Sequence, residues 1–359
     1  MNLKPVFPDQ KRPVIIAGPC SAETEEQTLD TAHQIAKLGN VSYYRAGIWK
    51  PRTKPGGFEG VGRVGLSWLR TVKEETGLKT TTEVATAAHV YEALKHGIDL
   101  LWIGARSTVN PFTVQEIADA LQGVDVPVLI KNPINADLEL WLGAIERIQK
   151  AGIERIGVIH RGFSHFGQTQ YRNTPLWQLP IELMRRLPGI TIIGDPSHIC
   201  GNRHGLSDVA QQALDLNYTG LMIETHRDPT VAWSDAKQQV TPERLKEMLH
   251  NLVVRVPDNG DETYQQKLEQ CRREINILDD QLLQLLGSRM NVCERIGQVK
   301  RDNQVSIFQP SRWNDILQKA ITQGQNSGLS EDFVTAILRA IHQESINRQN
   351  AVMQTELTK

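Results

Sequence analysis

The stretch Ile190-Thr191-Ile192-Ile193-Gly194-Asp195-Pro196-Ser197-His198 decides how the first two thirds of the chain are read. A short β-branched run bounded by turn residues is a buried strand, and the turn that ends it sets an imidazole just past the strand's carboxyl end. Similar runs recur along the chain: Val14 to Cys20, Tyr43 to Trp49, Lys79 to Val84, Leu100 to Ala105, Pro127 to Asn132, Arg155 to Arg161 and, after Ile190 to Gly194, Gly220 to His226. Each is followed by turn chemistry and an amphipathic segment, such as Glu25 to Gly39 or Glu139 to Gly152. Eight strand–helix units over roughly 200 residues predict an α/β fold, a (β/α)8 TIM barrel with its site at the carboxyl ends of the strands; an open doubly wound sheet rarely repeats so evenly.

Outward from the barrel, Arg255-Val256-Pro257-Asp258-Asn259-Gly260-Asp261 reads as a linker, which sets the expected domains at 1–254, with the linker at 255–261, and 262–359. From Glu262 to about Asp302 there is no proline, and Leu268, Cys271, Ile275, Leu278, Leu282, Leu285, Val292, Ile296 and Val299 recur in steps of three and four. That spacing predicts one helix of about 40 residues, roughly 60 Å long. Pro310 opens a second helix, closed by Gly324, and Ser330 before Glu331-Asp332 caps a third that runs to about Asn350. The second domain is therefore a smaller all-α domain of three helices.

Bulk charge narrows the partners. Lys and Arg number 40 against 41 Asp and Glu, a net of -1, so no overall field favours nucleic acid or membrane and any anion site is a local cluster. Of the four cysteines, Cys20, Cys200, Cys271 and Cys293, two fall in the long helix, which suits a reducing cytoplasm better than a disulfide framework. Met1 to Pro13 lacks the apolar core of a signal peptide, and no run approaches the roughly 18 apolar residues of a membrane span. A soluble cytoplasmic protein acting on small molecules is expected.

Two chemical sets stand at the strand ends. The first is Cys20, His198, Glu224 and Asp235, whose mixed sulfur, nitrogen and oxygen donors suit a divalent transition metal better than Mg2+ or Ca2+. Cys20 alone would read as a small apolar residue; four such groups on one rim read as a site. Cys200 is a rival thiol that more naturally packs behind the loop. The second set is Arg45, Lys50, Arg52, Arg106, Lys131 and Arg161, a density of cations that implies a polyanionic substrate or two anionic ones. The loop from Lys54 to Gly60 either covers the site or is plain surface.

The segments Ala17-Gly18-Pro19-Cys20-Ser21, Lys50-Pro51-Arg52-Thr53, Ile103-Gly104-Ala105-Arg106, Leu129-Ile130-Lys131-Asn132, Gly194 to His198 and Ile223-Glu224-Thr225-His226 resemble the compact β-subtype of the 3-deoxy-D-arabino-heptulosonate 7-phosphate synthases, over about residues 11 to 250. The sister ketodeoxyoctonate phosphate synthases typically read Lys-Ala-Asn-Arg where this chain has residues 50 to 53, so the motif favours erythrose 4-phosphate over arabinose 5-phosphate. The resemblance implies condensation of phosphoenolpyruvate with that aldehyde. It implies Mn2+, or alternatively Fe2+, Co2+, Zn2+ or Cd2+, on Cys20, His198, Glu224 and Asp235. Phosphoenolpyruvate would be held by Arg45, Arg106, Lys131 and Arg161, and erythrose 4-phosphate by Lys50, Pro51, Arg52, Thr53 and Ser107. Lys131, His198 and Glu83 are its candidate catalytic groups, Glu83 either as the residue positioning water or as one that only orients Lys131 or an arginine.

In the long helix Arg289 interrupts the apolar stripe, and a cation there is costly unless an anion meets it. Lys300, eleven residues on, lies about 20° away, whereas Arg272, seventeen residues earlier, is about 100° round and roughly 25 Å distant. Arg272 can share that pocket only from a second copy, so a homodimer at least, through these helices, is expected. Arg272, Leu278-Asp279, Arg289, Lys300, Arg312, Ser345 and Gln349 are similar to the all-helical chorismate mutases over about 262 to 350. The resemblance implies a pericyclic rearrangement of chorismate to prephenate, with carboxylates on Arg289 and a partner's Arg272, and the ether oxygen at Lys300 and Gln349. Gln309 and Trp313 depart from that family's usual acid and glutamate. A non-catalytic sensor or dimerisation module is the alternative; as catalyst or as sensor, the helical domain is expected to inhibit the barrel when it binds prephenate or chorismate.

Overall fold

The computed structural model describes residues 3–50, 56–167, 169–258 and 260–354. The chain forms two compact units, Met1–Pro257 and Asp258–Lys359.

In the first unit eight parallel strands close on one another in sequence order: β1 (Val14–Gly18), β2 (Tyr43–Arg45), β3 (Lys79–Val84), β4 (Leu100–Ile103), β5 (Val128–Lys131), β6 (Ile156–His160), β7 (Thr191–Gly194) and β8 (Gly220–Glu224), with β8 pairing β1. This is the expected TIM barrel. Most strands are one to four residues shorter than the apolar runs suggested, because residues such as Cys20, Trp49, Arg161 and His226 already belong to the loops above the rim. The helices Glu25–Ala36 and Leu138–Lys150 likewise end before Gly39 and Gly152.

Strand alternation sorts the core into two layers. Outward residues such as Ile15, Ala17, Leu101, Ile103 and Ile130 pack under the helices. Inward residues Ile16, Tyr43, Leu100, Trp102, Leu129, Ile159, Ile193 and Met222 fill the barrel, and Val6 and Phe7 join them in the same cluster. The inward rows continue with the polar residues of the rim: Tyr43 leads to Arg45, Leu129 to Lys131, Ile159 to Arg161 and Met222 to Glu224. On β7 the same parity leads from Ile193 to Asp195. The period of two that builds the core thereby aims the rim residues inward.

His160 is buried without exposure on β6. Its Nε2 donates to the Pro175 carbonyl at 2.6 Å and its Nδ1 accepts from the Tyr218 hydroxyl at 2.9 Å, which fixes the neutral tautomer. Burial pushes its pKa down to about 4.

The second unit is three helices, Glu262–Asp302, Pro310–Asn326 and Glu331–Gln354. The first matches the expected span. The second runs two residues past Gly324, which sits inside the helix because a Cβ there would meet Val334 Cγ2 at 2.4 Å. The third runs beyond Asn350. Within this unit the long helix buries Met290, Cys293 and Gly297, whereas the stripe Ile275, Leu278, Leu282, Leu285 and Val292 is left exposed.

Candidate functional sites

At the rim the four candidate metal donors stand in two pairs. Cys20 Sγ lies 3.2 Å from Asp235 Oδ2, and His198 Nε2 lies 3.7 Å from Glu224 Oε1. Among the described residues no group of three or more His, Cys, Asp or Glu is gathered tightly enough to hold a metal as it stands. The donor chemistry nonetheless fits a divalent transition metal, and Glu224 Oε1, wholly buried, lacks a hydrogen-bond partner among the described residues. Glu224, Cys20 and Asp235 each also face a cation. Arg45 Nη2 is 3.2 Å from Glu224 Oε1, Lys50 Nζ donates to Cys20 Sγ at 2.8 Å, and Arg172 Nη1 donates to Asp235 Oδ1 at 2.8 Å.

The shell behind these groups orients them. Gln238 Nε2 donates to Glu224 Oε2 at 2.6 Å, and Gln239 Oε1 accepts from the Cys20 backbone at 2.9 Å. Asp195 caps the five-residue helix Pro196–Cys200 by accepting from the His198 backbone, and its Oδ2 lies 2.8 Å from His198 Nδ1 and 3.2 Å from Lys131 Nζ. Burial would raise the Asp195 carboxyl, but the charges of His198 and Lys131 outweigh it and hold the group ionised. Asp195 is thus a hub between the two chemical sets. Burial pushes the Cys20 thiol up to about 12, reinforced by Glu224. Asp235 adopts a left-handed backbone with φ 49°, a strained state for a non-glycine residue that recurs at functional sites.

Lys50, Glu83, Arg106, Lys131, Arg161, Arg172, His198 and Asp235 line one cleft. Burial lowers the Lys131 amine, opposed by Asp195, and lowers Arg161 to about 10, so the guanidinium stays charged at neutral pH. Glu83 Oε2 accepts from Trp102 Nε1 at 2.9 Å, and Gly104 makes room for it, since a Cβ there would sit 2.2 Å from Glu83 Oε1. Arg45 is placed differently from the other cations: it is buried beneath Glu224, 5.0 Å over the Trp102 ring, with Nε and Nη1 lacking hydrogen-bond partners among the described residues. Ser107 is buried in the short helix Ala105–Thr108. Pro51, Arg52 and Thr53 lie outside the described residues. Of the loop expected near the site, Phe58 meets Trp233 edge-on at 5.2 Å. Cys200 packs in the apolar layer under the helices, as a thiol behind the loop should.

The helical unit holds a second cavity of about 300 Å3, within the range of small-ligand pockets. Arg289, Lys300, Arg312, Ser345 and Gln349 all line it, so residues far apart in sequence meet there. Arg289 Nη1 donates to Ser345 Oγ at 2.6 Å, and the buried Gln349 Oε1 has no partner among the described residues. Arg272 is exposed and lies 3.8 Å from Glu269 on its own helix, not in the cavity. Trp313 stacks on His342 at 4.1 Å, and desolvation, with the charge of Arg289, lowers the His342 imidazole.

Sequence reasoning missed Arg172, Asn173, Gln238, Gln239 and His342. The first four come from long connections with no periodic pattern. His342 had a signal: it stands three residues before Ser345 and seven before Gln349, on one helical face.

Comparison with known proteins agrees with this division. The model of the DAHP synthetase I family matches residues 6–256, and that of chorismate mutase type II matches 271–350. A phospho-2-dehydro-3-deoxyheptonate aldolase of Thermotoga maritima is 32% identical over 238 residues, covering 66% of this chain and 68% of that protein. A 2-dehydro-3-deoxyphosphooctonate aldolase of Legionella pneumophila is 28% identical over 268 residues, 69% and 91% of the two chains. The crystal structure of the Thermotoga maritima phospho-2-dehydro-3-deoxyheptonate aldolase superposes with a TM-score of 0.60 over 66% of this chain and 67% of that one, at 32% identity. A truncated form of 3-deoxy-D-arabino-heptulosonate 7-phosphate synthase from the same organism gives 0.58 at 29% identity, over 66% and 84%.

Proposed function

Since the chain belongs to the DAHP synthetase I family and carries a chorismate mutase domain behind its barrel, we propose that one polypeptide makes 3-deoxy-D-arabino-heptulosonate 7-phosphate at the barrel rim and converts chorismate to prephenate among the helices. The observation that carries the first half is the convergence of Arg106, Lys131 and Arg161 with His198 and Asp235 on one cleft. Three cations there suit the phosphate and carboxylate of phosphoenolpyruvate. They orient its enol carbon toward the aldehyde of erythrose 4-phosphate, with Lys50, Arg52, Thr53 and Ser107 assigned to the sugar phosphate. A carbon–carbon bond forms between phosphoenolpyruvate C3 and the aldehyde carbon. Water held by Glu83 adds at C2, and inorganic phosphate leaves.

Cys20, His198, Glu224 and Asp235 would hold the divalent metal, Mn2+ foremost, which as a Lewis acid polarises the aldehyde. Trp102 and Gly104 keep Glu83 aimed into the cleft, and Asp195 keeps both Lys131 and His198 in register. Arg45, buried under Glu224, supports that ligand, and its Nε and Nη1 atoms, which lack hydrogen-bond partners among the described residues, are assigned to the carboxylate of the substrate.

In the helical cavity Arg289, with the partner's arginine at position 272, clamps the two carboxylates of chorismate, while Lys300 and Gln349 meet the ether oxygen. Support for a homodimer comes from the exposed stripe of the long helix and from the exposed position of Arg272. Binding of prephenate or chorismate there inhibits the barrel.

The alternatives are arabinose 5-phosphate as the aldehyde and a non-catalytic helical module. One set of assays decides among them: phosphoenolpyruvate consumption with erythrose 4-phosphate against arabinose 5-phosphate, each with and without prephenate or chorismate, together with chorismate consumption by the same sample. Preference for arabinose 5-phosphate rejects the first assignment, an inert chorismate assay rejects the second, and indifference to both chorismate and prephenate rejects the regulation.

A further inference from the structure

The helix Pro196–Cys200 has five residues, too short to satisfy the carbonyls of its own last turn. Three successive carbonyls are instead met by one neighbouring dipeptide. Asn173 Nδ2 donates to the His198 carbonyl at 2.7 Å, the Asn173 backbone to that of Ile199 at 3.1 Å, and the Arg172 backbone to that of Cys200 at 3.3 Å. The other end of the Asn173 carboxamide faces the opposite way: its Oδ1 accepts from Arg161 Nη1 at 2.8 Å. Two glycines allow this approach. A Cβ on Gly162 would meet the Asn173 carbonyl oxygen at 2.4 Å, and one on Gly201 would meet Arg172 Cβ at 2.4 Å. Asn173 itself is 6% exposed, so water is a poor substitute for either bond.

We infer that Asn173 is a positioning residue that sets the phosphate-holding guanidinium of Arg161 and the donor-bearing turn of His198 in one register, so that one carboxamide builds both the anion end and the metal end of the cleft. This rests on the assignment of the cleft to phosphoenolpyruvate and a divalent metal. A planar amide is suited to the task because it donates on one side and accepts on the other. Alanine does neither, and aspartate keeps the acceptor for Arg161 but loses the donor for His198.

The test compares the full-length protein with Asn173→Ala and Asn173→Asp. Three quantities are measured: the Mn2+ dissociation constant by equilibrium dialysis, the inorganic phosphate dissociation constant in the presence of Mn2+, and KM for each substrate. Loss of a hydrogen bond behind a metal ligand weakens metal binding by about tenfold or more, so both variants should show a Mn2+ constant raised by about that factor. In Asn173→Ala the phosphate constant and the phosphoenolpyruvate KM should rise in parallel, with the erythrose 4-phosphate KM moving less than twofold. Asn173→Asp, whose carboxylate competes for Arg161, should weaken phosphate at least as much. Mn2+ and phosphate constants within twofold of the parent in either variant overturn the inference, as does an equal rise in both substrate KM values. If Asn173→Ala does not fold, the nearly isosteric Asn173→Asp is decisive by itself. Should the parent fail to condense its substrates, the functional reading falls, while the Mn2+ and phosphate constants still decide the role of Asn173.

Discussion

The barrel and the helical unit treat their apolar residues in opposite ways. Around the barrel, strand closure leaves no sheet edge, and residues such as Ile16, Leu66 and Ile223 have no exposure at all. In the long helix, Leu278 and Leu285 remain 62% and 69% exposed, although their spacing is as regular as that of any core helix. A barrel completes its core within one chain; a three-helix unit with a 41-residue helix has more apolar length than its two shorter helices can cover. The sites follow the same rule. Rim residues are oriented by a local shell of Asp195, Asn173, Gln238 and Gln239, whereas Arg272, the cation proposed to reach the helical cavity from a second copy, stands on an exposed surface of its own chain.

The sharpest way to separate the two regions is by chelation. Stripping divalent metal should lower condensation by about a thousandfold or more, since a Lewis acid supplies several kcal/mol, and added Mn2+ should restore it. Chorismate consumption in the same sample should be unmoved, because the roles proposed for Arg289, Lys300 and Gln349 need no metal; parallel loss of both activities would break the division. In the helices, Arg289→Ala should reduce chorismate kcat/KM by about a hundredfold to a thousandfold, the usual effect of deleting one charge-stabilising donor. Near-normal turnover would reject the role of Arg289.

Leu285→Asp tests the uncovered stripe. Its own chain barely touches that side chain, so circular dichroism should stay unchanged, while the proposed dimer, followed by light scattering, should weaken by roughly a hundredfold as a charge enters an apolar contact. An unaltered dimer would place the interface elsewhere. In the barrel the self-contained core predicts a pH effect instead. His160 is neutral when folded, with a pKa near 4, whereas the unfolded chain takes up a proton near the ordinary histidine value of 6.5. The unfolded state therefore binds more protons between those values, and stability falls as pH drops through that window, by on the order of 3 kcal/mol for this group. His160→Gln should flatten that part of the denaturation profile. The smallest effect is expected from Gly104→Ala: the new methyl would crowd Glu83 and should cut condensation kcat by about tenfold, at a stability loss of about 1–3 kcal/mol.

Much of this was legible in the sequence, for reasons that differ by residue. Lys131 and Arg161 could be placed because each directly extends an inward row of a short strand, and the long helix could be bounded at Glu262 and Asp302 by its unbroken periodicity. Gly324 was misread as a helix end because the reason for that glycine is a side chain ten residues away, Val334. Arg172, Asn173, Gln238 and Gln239 left no trace, because irregular connections carry no period and their partners lie far along the chain.

By itself, then, the sequence determined whatever is encoded in local repetition: the eight strand–helix units, the three helices, and the chemical types gathered at the strand ends. Tertiary structure alone decided which groups touch. It buried Arg45 under Glu224, set Lys50 against the Cys20 thiol, made Asp195 the common partner of Lys131 and His198, and turned the apolar stripe of the long helix outward. The physical reason is that backbone periodicity fixes the direction of a side chain relative to its own element, whereas a contact depends on chain closure over separations of tens to hundreds of residues, which no local pattern records.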